Sequence, residues 1–111
     1  MGGSDIVTGT LELLVLKTLA VGRLHGYAIG RAIRERSADV LKVGENVLYP
    51  ALHRLEARGD VRADWGTTDT GREARFYRLT QRGRTRLRRE AERWLARSEA
   101  ARAILEGDGV A

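Results

Sequence analysis

The chain has 111 residues, of which 42% are apolar, so it has room for one compact domain. It contains no cysteine, which excludes disulfides, zinc–cysteine sites and thiol chemistry. The formal net charge is +5, and arginine supplies nearly all of the positive charge. Arginine suits phosphate and guanine contacts, but solvated helix faces explain the same composition equally well.

The chain shows no sign of a membrane segment or a secretion signal. The longest apolar run, residues 13–16, is extended by residues 19–21, but Glu12 and Lys17 interrupt it. It is far too short to span a bilayer. The N-terminus has neither a basic region nor a small-residue cleavage site, so export is not expected. These features predict a cytoplasmic protein with no membrane partner.

Two helices are predicted in the first part of the chain. Residues 10–21 are apolar nearly all round, which is typical of a central helix, and Gly22 closes it. A second helix is predicted from residue 25 to about residue 37. Its buried face is expected to carry Tyr27, Ile29 and Ile33.

A third helix is expected to start close to Asn46 and to stop at Gly59. Its core face carries apolar residues at spacings of four and three, namely Leu48, Leu52 and Leu55. The opposite face carries Asn46, Tyr49, Pro50 and His53. Pro50 costs one backbone hydrogen bond, which is tolerable only near the first turn and therefore agrees with a start near Asn46.

Two short segments with alternating residues follow the third helix, and they predict a β-hairpin. In the first segment Val61, Ala63 and Trp65 alternate with polar residues, and in the second Arg75, Tyr77 and Leu79 alternate with Phe76 and Arg78. Residues 66–71 between them have the composition of a turn. A helix with an available outer face, followed by a basic ribbon, outlines a winged helix-turn-helix and predicts DNA binding.

A long final helix is predicted to begin where Thr80 can cap it and to run to about Leu105. One face repeats at spacings of four and three, which is a heptad seam formed by Leu87, Ala91, Trp94, Ser98, Ala101 and Leu105. A seam needs a partner helix. Its small residues make it weak alone, so the partner is expected to include the helix that carries Leu11, and a two-fold homodimer is the simplest source.

The predicted fold is therefore mainly α with a small β-hairpin. A winged helix-turn-helix DNA-binding domain is expected over residues 1–80 and a C-terminal dimerisation helix over residues 81–106. Residues 107–111 are expected to form a disordered tail.

Three motifs, in this order and at this spacing, resemble the PadR family of transcriptional regulators. They are His25-Gly-Tyr27, then Leu48-Tyr-Pro-Ala-Leu52 with Leu55-Glu56 and Gly59, and then Phe76-Tyr-Arg-Leu-Thr80 with Gly83. The resemblance covers nearly the whole chain. It implies a homodimeric, mostly repressing winged-helix protein that dimerises through its C-terminal helix, of the short subtype. The chain departs from the family in having Phe76 where tyrosine is common.

The candidate DNA contacts lie on the third helix and the hairpin. They are Asn46, Tyr49, Pro50, His53, Arg54, Arg58, Arg72 and Arg75. Asn46 can pair with adenine, and His53 can donate to guanine or to phosphate, although either could be solvated helix surface. Tyr49 can donate its hydroxyl to phosphate, and the alternative is that it only covers the hairpin. Arg54 and Arg58 are expected to meet phosphate rather than bases.

Arg72 and Arg75 lie on or beside the tip of the hairpin and could reach the DNA backbone or a narrow minor groove. The alternative for both arginines is a solvated hairpin edge. For Arg75 the family motif favours the DNA contact.

No enzyme, metal or cofactor is expected. His25 and His53 are the only histidines, and no carboxylate cluster accompanies them at metal-ligand spacing. His25 is expected to close the start of a helix rather than to bind a ligand. The chain has no Gly-rich phosphate loop and no Ser-His-Asp arrangement.

Trp94 lies on the heptad seam, where it could face its symmetry mate. Paired indoles can sandwich a flat aromatic small molecule, as some short members of the family do, so Trp94 is a candidate effector site. The favoured alternative is a packing anchor that fills the space left by Ala91 and Ser98.

The main functional hypothesis is a homodimeric repressor that binds an inverted-repeat operator in double-stranded DNA and is released by an effector. It would place two third helices in successive major grooves about 34 Å apart. The alternative is an adaptor whose winged helix and long helix bind another protein.

Overall fold

The computed structural model describes residues 8–107, and this part of the chain forms four α-helices and one three-stranded antiparallel sheet. In chain order the elements are α1 (Thr8–Thr18), β1 (Leu24–His25), α2 (Gly26–Arg36), α3 (Glu45–Ala57), β2 (Val61–Thr67), β3 (Glu73–Leu79) and α4 (Gln81–Glu106). The prediction of a mainly α fold with a small β component is confirmed. None of the helices in this part of the chain is long and apolar enough to cross a membrane.

The observed helices begin and end within a few residues of the predicted bounds. α1 passes into one 3₁₀ turn over Leu19–Val21, and this turn ends at Gly22 with a φ of 150°. α3 begins one residue before Asn46, and the chain leaves it through Gly59 with a φ of 81°. Glycine adopts this left-handed conformation without the strain that a side chain would bring. Pro50 lies in the second turn of α3.

The sheet has one strand more than the predicted hairpin. β3 is its central strand and pairs with β2 on one side and β1 on the other. β1 contributes two pairs, Leu24 with Tyr77 and His25 with Phe76. β2 and β3 pair over seven residues, from Val61 opposite Leu79 to Thr67 opposite Glu73. We call β2, β3 and the connecting residues 68–72 the wing.

The core lies between α1, α2, α3 and the base of the sheet. It is built from the buried residues Leu11, Val15, Leu16, Leu19, Ile29, Ile33, Leu48, Ala51, Leu52, Leu55, Val61, Tyr77 and Leu79. Leu11 is only 2% exposed in a single protomer. Its side chain is thus covered by its own chain, and its contact with a second subunit stays a prediction.

Tyr27 also departs from its predicted place. Ile29 and Ile33 are buried as expected, but Tyr27 is 67% exposed. The buried face of α2 is set by Gly26, Ile29 and Ile33. Because successive helical residues are about 100° apart, Tyr27 is rotated off this face toward solvent.

α4 begins at the predicted cap. Thr80 Oγ1 accepts a hydrogen bond of 3.0 Å from the backbone N–H of Gly83. Gly83 packs so closely on the backbone carbonyl of Asp60 that a Cβ atom there would overlap it. Leu87, predicted on the dimer seam, packs partly against the core of its own protomer. The helix ends at Glu106 and Gly107 follows it, and the rest of the predicted tail, residues 108–111, lies outside the described residues.

Candidate nucleic-acid interface

α3 presents two faces of opposite character, as its sequence predicts. The core face carries three buried leucines, Leu48, Leu52 and Leu55. On the outer face Asn46, Pro50 and His53 are exposed, and Tyr49 is half-buried beside them. Four of the predicted contact residues therefore share one accessible surface.

The ring of Tyr49 packs over the first residue of α2. A Cβ atom at Gly26 would lie 2.6 Å from the Tyr49 hydroxyl oxygen and 2.7 Å from Cε1, so this position requires glycine. Just before it, His25 Nδ1 accepts a hydrogen bond of 3.3 Å from the backbone N–H of Ala28. His25 thus caps α2 as expected. Within the motif His25-Gly-Tyr27, the close approach of Gly26 to Tyr49 joins α2 to α3.

A cleft of about 780 Å³ separates the helices from the wing. The start of α2 and Tyr49 line one wall, and the wing from Thr68 to Arg75 lines the other. Tyr27 lines this cleft with its exposed side chain and was missed by the sequence prediction. Hydroxyl groups and arginines lie on both sides of this open channel, where they can bind phosphate, and the acids Glu35, Asp69 and Glu73 lie among them.

Arg54 and Arg58 do not lie free on the DNA-facing side of α3. Arg54 Nε donates to Glu12 Oε2 at 2.6 Å, and Arg58 Nη2 donates to Glu12 Oε1 at 2.5 Å. Burial raises the pKa of Glu12, but the hydrogen bonds and charges of the two arginines outweigh this effect and hold its pKa below the usual value. Both groups tie α3 to α1, and the phosphate contacts expected of Arg54 and Arg58 stay a prediction.

The two wing arginines differ in their surroundings. Arg75 Nη2 donates to Glu56 Oε2 at 3.1 Å, which connects β3 with α3. Arg72 is exposed in the wing turn, where its backbone N–H donates to Thr68 Oγ1 at 3.2 Å. Arg72 is thus held by its backbone while its guanidinium faces solvent, and Arg75 is only partly available.

A buried carboxylate joins α3, β2 and α4. Asp60 has no exposed surface and is surrounded by Arg86 Nε at 2.7 Å, Arg58 Nε at 3.5 Å and Arg82 Nε at 3.8 Å. We call these four residues the Asp60 cluster. Its contacts are ion pairs rather than well-directed hydrogen bonds. Because Arg58 also binds Glu12, the cluster connects α1, α3 and α4 through one arginine.

The sequence carried a usable signal for Glu12. At spacings of four and seven, Glu12 shares a helix face with Leu16 and Leu19, so its carboxylate points toward the core and needs a cationic partner. Asp60 offers no comparable signal, because a single acid between a helix stop and a strand is equally common on a surface.

Trp94 contacts its own protomer. Its indole Nε1 donates to Thr10 Oγ1 at 3.2 Å, which joins α4 to α1, and 43% of the residue remains exposed. Farther along α4 large apolar side chains are uncovered, with Leu95 58%, Ile104 71% and Leu105 83% exposed. In residues 8–107 no group of three or more His, Cys, Asp or Glu side chains is placed to hold a metal ion.

Comparison with known proteins identifies this arrangement. The sequence profile described as the Transcriptional regulator PadR-like family matches residues 15–89, which include α2, α3 and the whole wing. The chain belongs to the PadR-like family. It is therefore a DNA-binding transcriptional regulator and not an enzyme, as predicted from its motifs.

Individual relatives agree with the family assignment. The chain is 35% identical over 97 residues to the transcriptional regulator Rv3488 of Mycobacterium tuberculosis, across 87% of this chain and 84% of that protein. A transcriptional regulator from Clostridium thermocellum has a TM-score of 0.82 at 26% identity, over 93% of this chain and all of that one. A PadR family transcriptional regulator from Eggerthella lenta has a TM-score of 0.75 at 28% identity, over 90% of this chain and 85% of that one. The winged-helix fold is confirmed.

Proposed function

We propose that this PadR-like protein represses transcription by binding an inverted-repeat operator as a homodimer. The observation that carries the proposal is the accessible outer face of α3, with Asn46, Pro50 and His53, beside the cleft and the wing. A helix of this kind fits the major groove, and a two-fold dimer matches two half-sites about 34 Å apart. Binding over a promoter blocks access of the polymerase.

The proposed contacts divide by chemistry. Asn46 reads adenine through its amide, and His53 donates to guanine or to a phosphate. The Tyr49 hydroxyl, Arg72 and Arg75 bind phosphate along the cleft, which fixes the register of α3 without reading sequence. Pro50 shapes the outer surface of α3 beside them. Glu56 competes with phosphate for Arg75, so Arg72 is the stronger wing contact.

A fluorescence-anisotropy titration tests the proposal. The protein is titrated into a duplex from its own upstream region and into a shuffled duplex, at about 50 and 200 mM salt. Contact with about six to ten phosphates predicts an affinity loss of roughly 10³- to 10⁵-fold between these salt concentrations. Failure to bind either duplex at low salt would contradict the proposal.

Two single substitutions separate base contacts from phosphate contacts. Tyr49→Phe keeps the ring on Gly26 and removes only the hydroxyl, so it should weaken binding to all sequences equally. Asn46→Ala should cost roughly 1–3 kcal/mol on the native duplex and relax the preference at one base pair. An equal loss on every sequence would refute base reading by Asn46.

Arg72 has a matched control on α4. Arg72→Ala should weaken binding and lower the slope of log affinity against log salt by about one. Arg97→Ala removes the same charge from an exposed position on α4 and should leave this slope unchanged. Equal slopes for the two variants would remove Arg72 from the interface.

The dimer is proposed from the uncovered end of α4. The predicted seam residues in the C-terminal part of α4 are Ala91, Trp94, Ser98, Ala101 and Leu105. With Leu105 and its neighbour Ile104 both largely exposed, a second copy of α4 is the simplest cover for these apolar groups. Leu105→Glu should shift the protein toward monomers in sedimentation-velocity experiments, whereas an unchanged dimer would remove Leu105 from the seam.

A flat aromatic effector at Trp94 is the second part of the proposal. The hydrogen bond from Trp94 to Thr10 supports a packing role, but the exposed part of the indole leaves a surface for stacking. Replacing Trp65 with Phe leaves Trp94 as the sole tryptophan. No change in its fluorescence across a panel of flat aromatic compounds would exclude this effector site.

The competing function is a protein-interaction adaptor in which the basic surface is incidental. An apolar protein interface barely responds to salt, whereas binding to DNA responds steeply. The two-salt titration therefore separates the two functions.

A further inference from the structure

The wing loses its support halfway along its length. β1 pairs with β3 only at Tyr77 and Phe76, so Phe76 lies on the last three-stranded row. Its partner in β2 on this row is Asp64. Beyond this row the wing is a two-stranded ribbon, and such a ribbon is at best marginally stable by itself.

Arg23, from the segment before β1, contacts the wing on this last supported row. Its Nη2 and Nε atoms lie 3.1 and 3.4 Å from Asp64 Oδ1. Its guanidinium carbon lies 4.2 Å from the centre of the Phe76 ring. One side chain therefore holds a carboxylate of β2 and an aromatic ring of β3 at the same time.

Gly66 makes room for this contact. A Cβ atom at Gly66 would lie 2.5 Å from Arg23 Nη2 and 2.8 Å from Phe76 Cδ1. Gly66 was predicted as the first residue of the turn, but it belongs to β2 and pairs with Ala74. Its missing side chain opens the space in which Arg23 reaches across the sheet.

We propose that Arg23 is a positioning residue for DNA binding, and that it sets the angle of the wing against α3 through Asp64 and Phe76. This inference rests on the proposed role of the wing at the DNA backbone. Arg23 itself need not touch DNA. Without it the wing occupies several orientations, and only the fraction that matches the DNA binds without a further cost.

The expected size of the effect is modest. Arg23 and Asp64 have side-chain exposures of 44% and 53%, so their ion pair is screened by water. Arg23 also contacts the Phe76 ring. When both contacts are lost together, DNA binding should weaken by roughly fivefold. An anisotropy titration resolves a change of this size.

The decisive variant is Asp64→Asn, because a purely electrostatic effect and the loss of the Arg23 contact would change the DNA affinity in opposite directions. It removes a negative charge from the wing, so electrostatics alone predicts equal or tighter binding to DNA. Loss of the Arg23 contact predicts binding that is weaker by roughly threefold to fivefold. Asp69→Asn is the matched control, since it removes the same charge from the exposed wing turn and leaves Arg23 untouched.

A second readout does not depend on DNA. Trp94→Phe leaves Trp65 as the sole tryptophan, and Trp65 follows Asp64 directly in β2. In this background Arg23→Ala should increase the fast local motion of Trp65 seen in time-resolved anisotropy. Arg23→Lys keeps the ion pair and should restore part of both the wing order and the affinity. Titrations well below the unfolding temperature exclude a general loss of folded protein.

The outcomes separate this inference from the proposed function. Binding by Asp64→Asn that is weaker than that of wild type, with no such loss in Asp69→Asn, together with a more mobile Trp65 in Arg23→Ala, supports the positioning role. Binding by Asp64→Asn that is equal to or tighter than that of wild type overturns it. If wild type binds no DNA, the proposed function fails, and an unchanged Trp65 in Arg23→Ala then also shows that Arg23 does not hold the wing.

Discussion

Replacing Glu12 with Gln should destabilise the protein, because the Glu12 carboxylate joins α1 to Arg54 and Arg58 of α3. The Glu12 residue is 9% exposed, and its carboxylate accepts hydrogen bonds from Arg54 and Arg58. Glutamine has nearly the same shape but carries no charge. The substitution therefore tests the charge of the contact and leaves its packing intact.

The magnitude follows from the exposure of the three side chains. A hydrogen bond to a charged group contributes about 1.5–3 kcal/mol to stability. The Arg54 and Arg58 side chains are 42% and 40% exposed, so water screens both contacts. After this discount each contact contributes about 1 kcal/mol, and the free energy of unfolding should fall by about 2 kcal/mol near neutral pH.

The loss should depend on pH with a definite sign. The pKa of Glu12 in the folded protein lies below its usual 4.5 because the two arginines outweigh the effect of burial. A carboxylate with a lowered pKa stabilises the folded state above the unfolded-state pKa, and this contribution is lost as pH falls through the folded pKa. The difference between wild type and Glu12→Gln should therefore be full at neutral pH and shrink below pH 4.5.

Urea unfolding followed by circular dichroism measures both effects. The protomer concentration is held fixed, because the stability of the proposed dimer would depend on it. Glu35→Gln is the control, because Glu35 and Arg31 form an ion pair in which both side chains are 64% exposed. It should change the free energy of unfolding far less than Glu12→Gln does, because water screens this ion pair. The reasoning would be refuted if Glu12→Gln were as stable as wild type at neutral pH. It would also be refuted if the variant lost the same free energy of unfolding at acidic and neutral pH.

Three further substitutions probe other contacts. Asp60→Ala should lower the free energy of unfolding by about 1–3 kcal/mol, because it leaves Arg86, whose side chain is 26% exposed, without its carboxylate partner; an unchanged free energy in urea unfolding would contradict this. Gly83→Ala should destabilise because its Cβ meets the Asp60 carbonyl, whereas Gly9→Ala, with open space around it, should stabilise α1 by about 0.5–1 kcal/mol. Equal effects of the two alanines would be evidence against close packing at Gly83. Gly26→Ala should displace Tyr49 and weaken DNA binding, and unchanged affinity in the anisotropy titration would show that the position of Tyr49 does not matter.

Local patterns in the sequence were sufficient for the helices. The spacing of Leu48, Leu52 and Leu55 and the stop at Gly59 predicted both faces of α3, because a helix repeats its contacts every three to four residues. The strand β1 could not be predicted in this way, since two residues carry no alternation. Its existence depends on β3, which comes about fifty residues later in the chain.

The errors concern contacts between distant parts of the chain. The pairing of Arg54 and Arg58 with Glu12 was not predicted, because Glu12 lies 42 and 46 residues away and charge on a helix surface does not reveal its acceptor. Arg23 was overlooked for the same reason, being 41 residues from Asp64. Tertiary packing brings such pairs together. A single sequence does not show which residues that are far apart along the chain lie close in space.

Chemical protection of guanine N7 in the upstream duplex tests the central claim most directly, because N7 lies in the major groove. The account predicts two protected patches whose centres are about 10–11 base pairs apart, as expected for two α3 helices of one dimer in successive major grooves. The same protein with Asn46→Ala should protect the same patches more weakly. Binding that leaves every guanine N7 in the duplex as reactive as in free DNA would contradict recognition through α3.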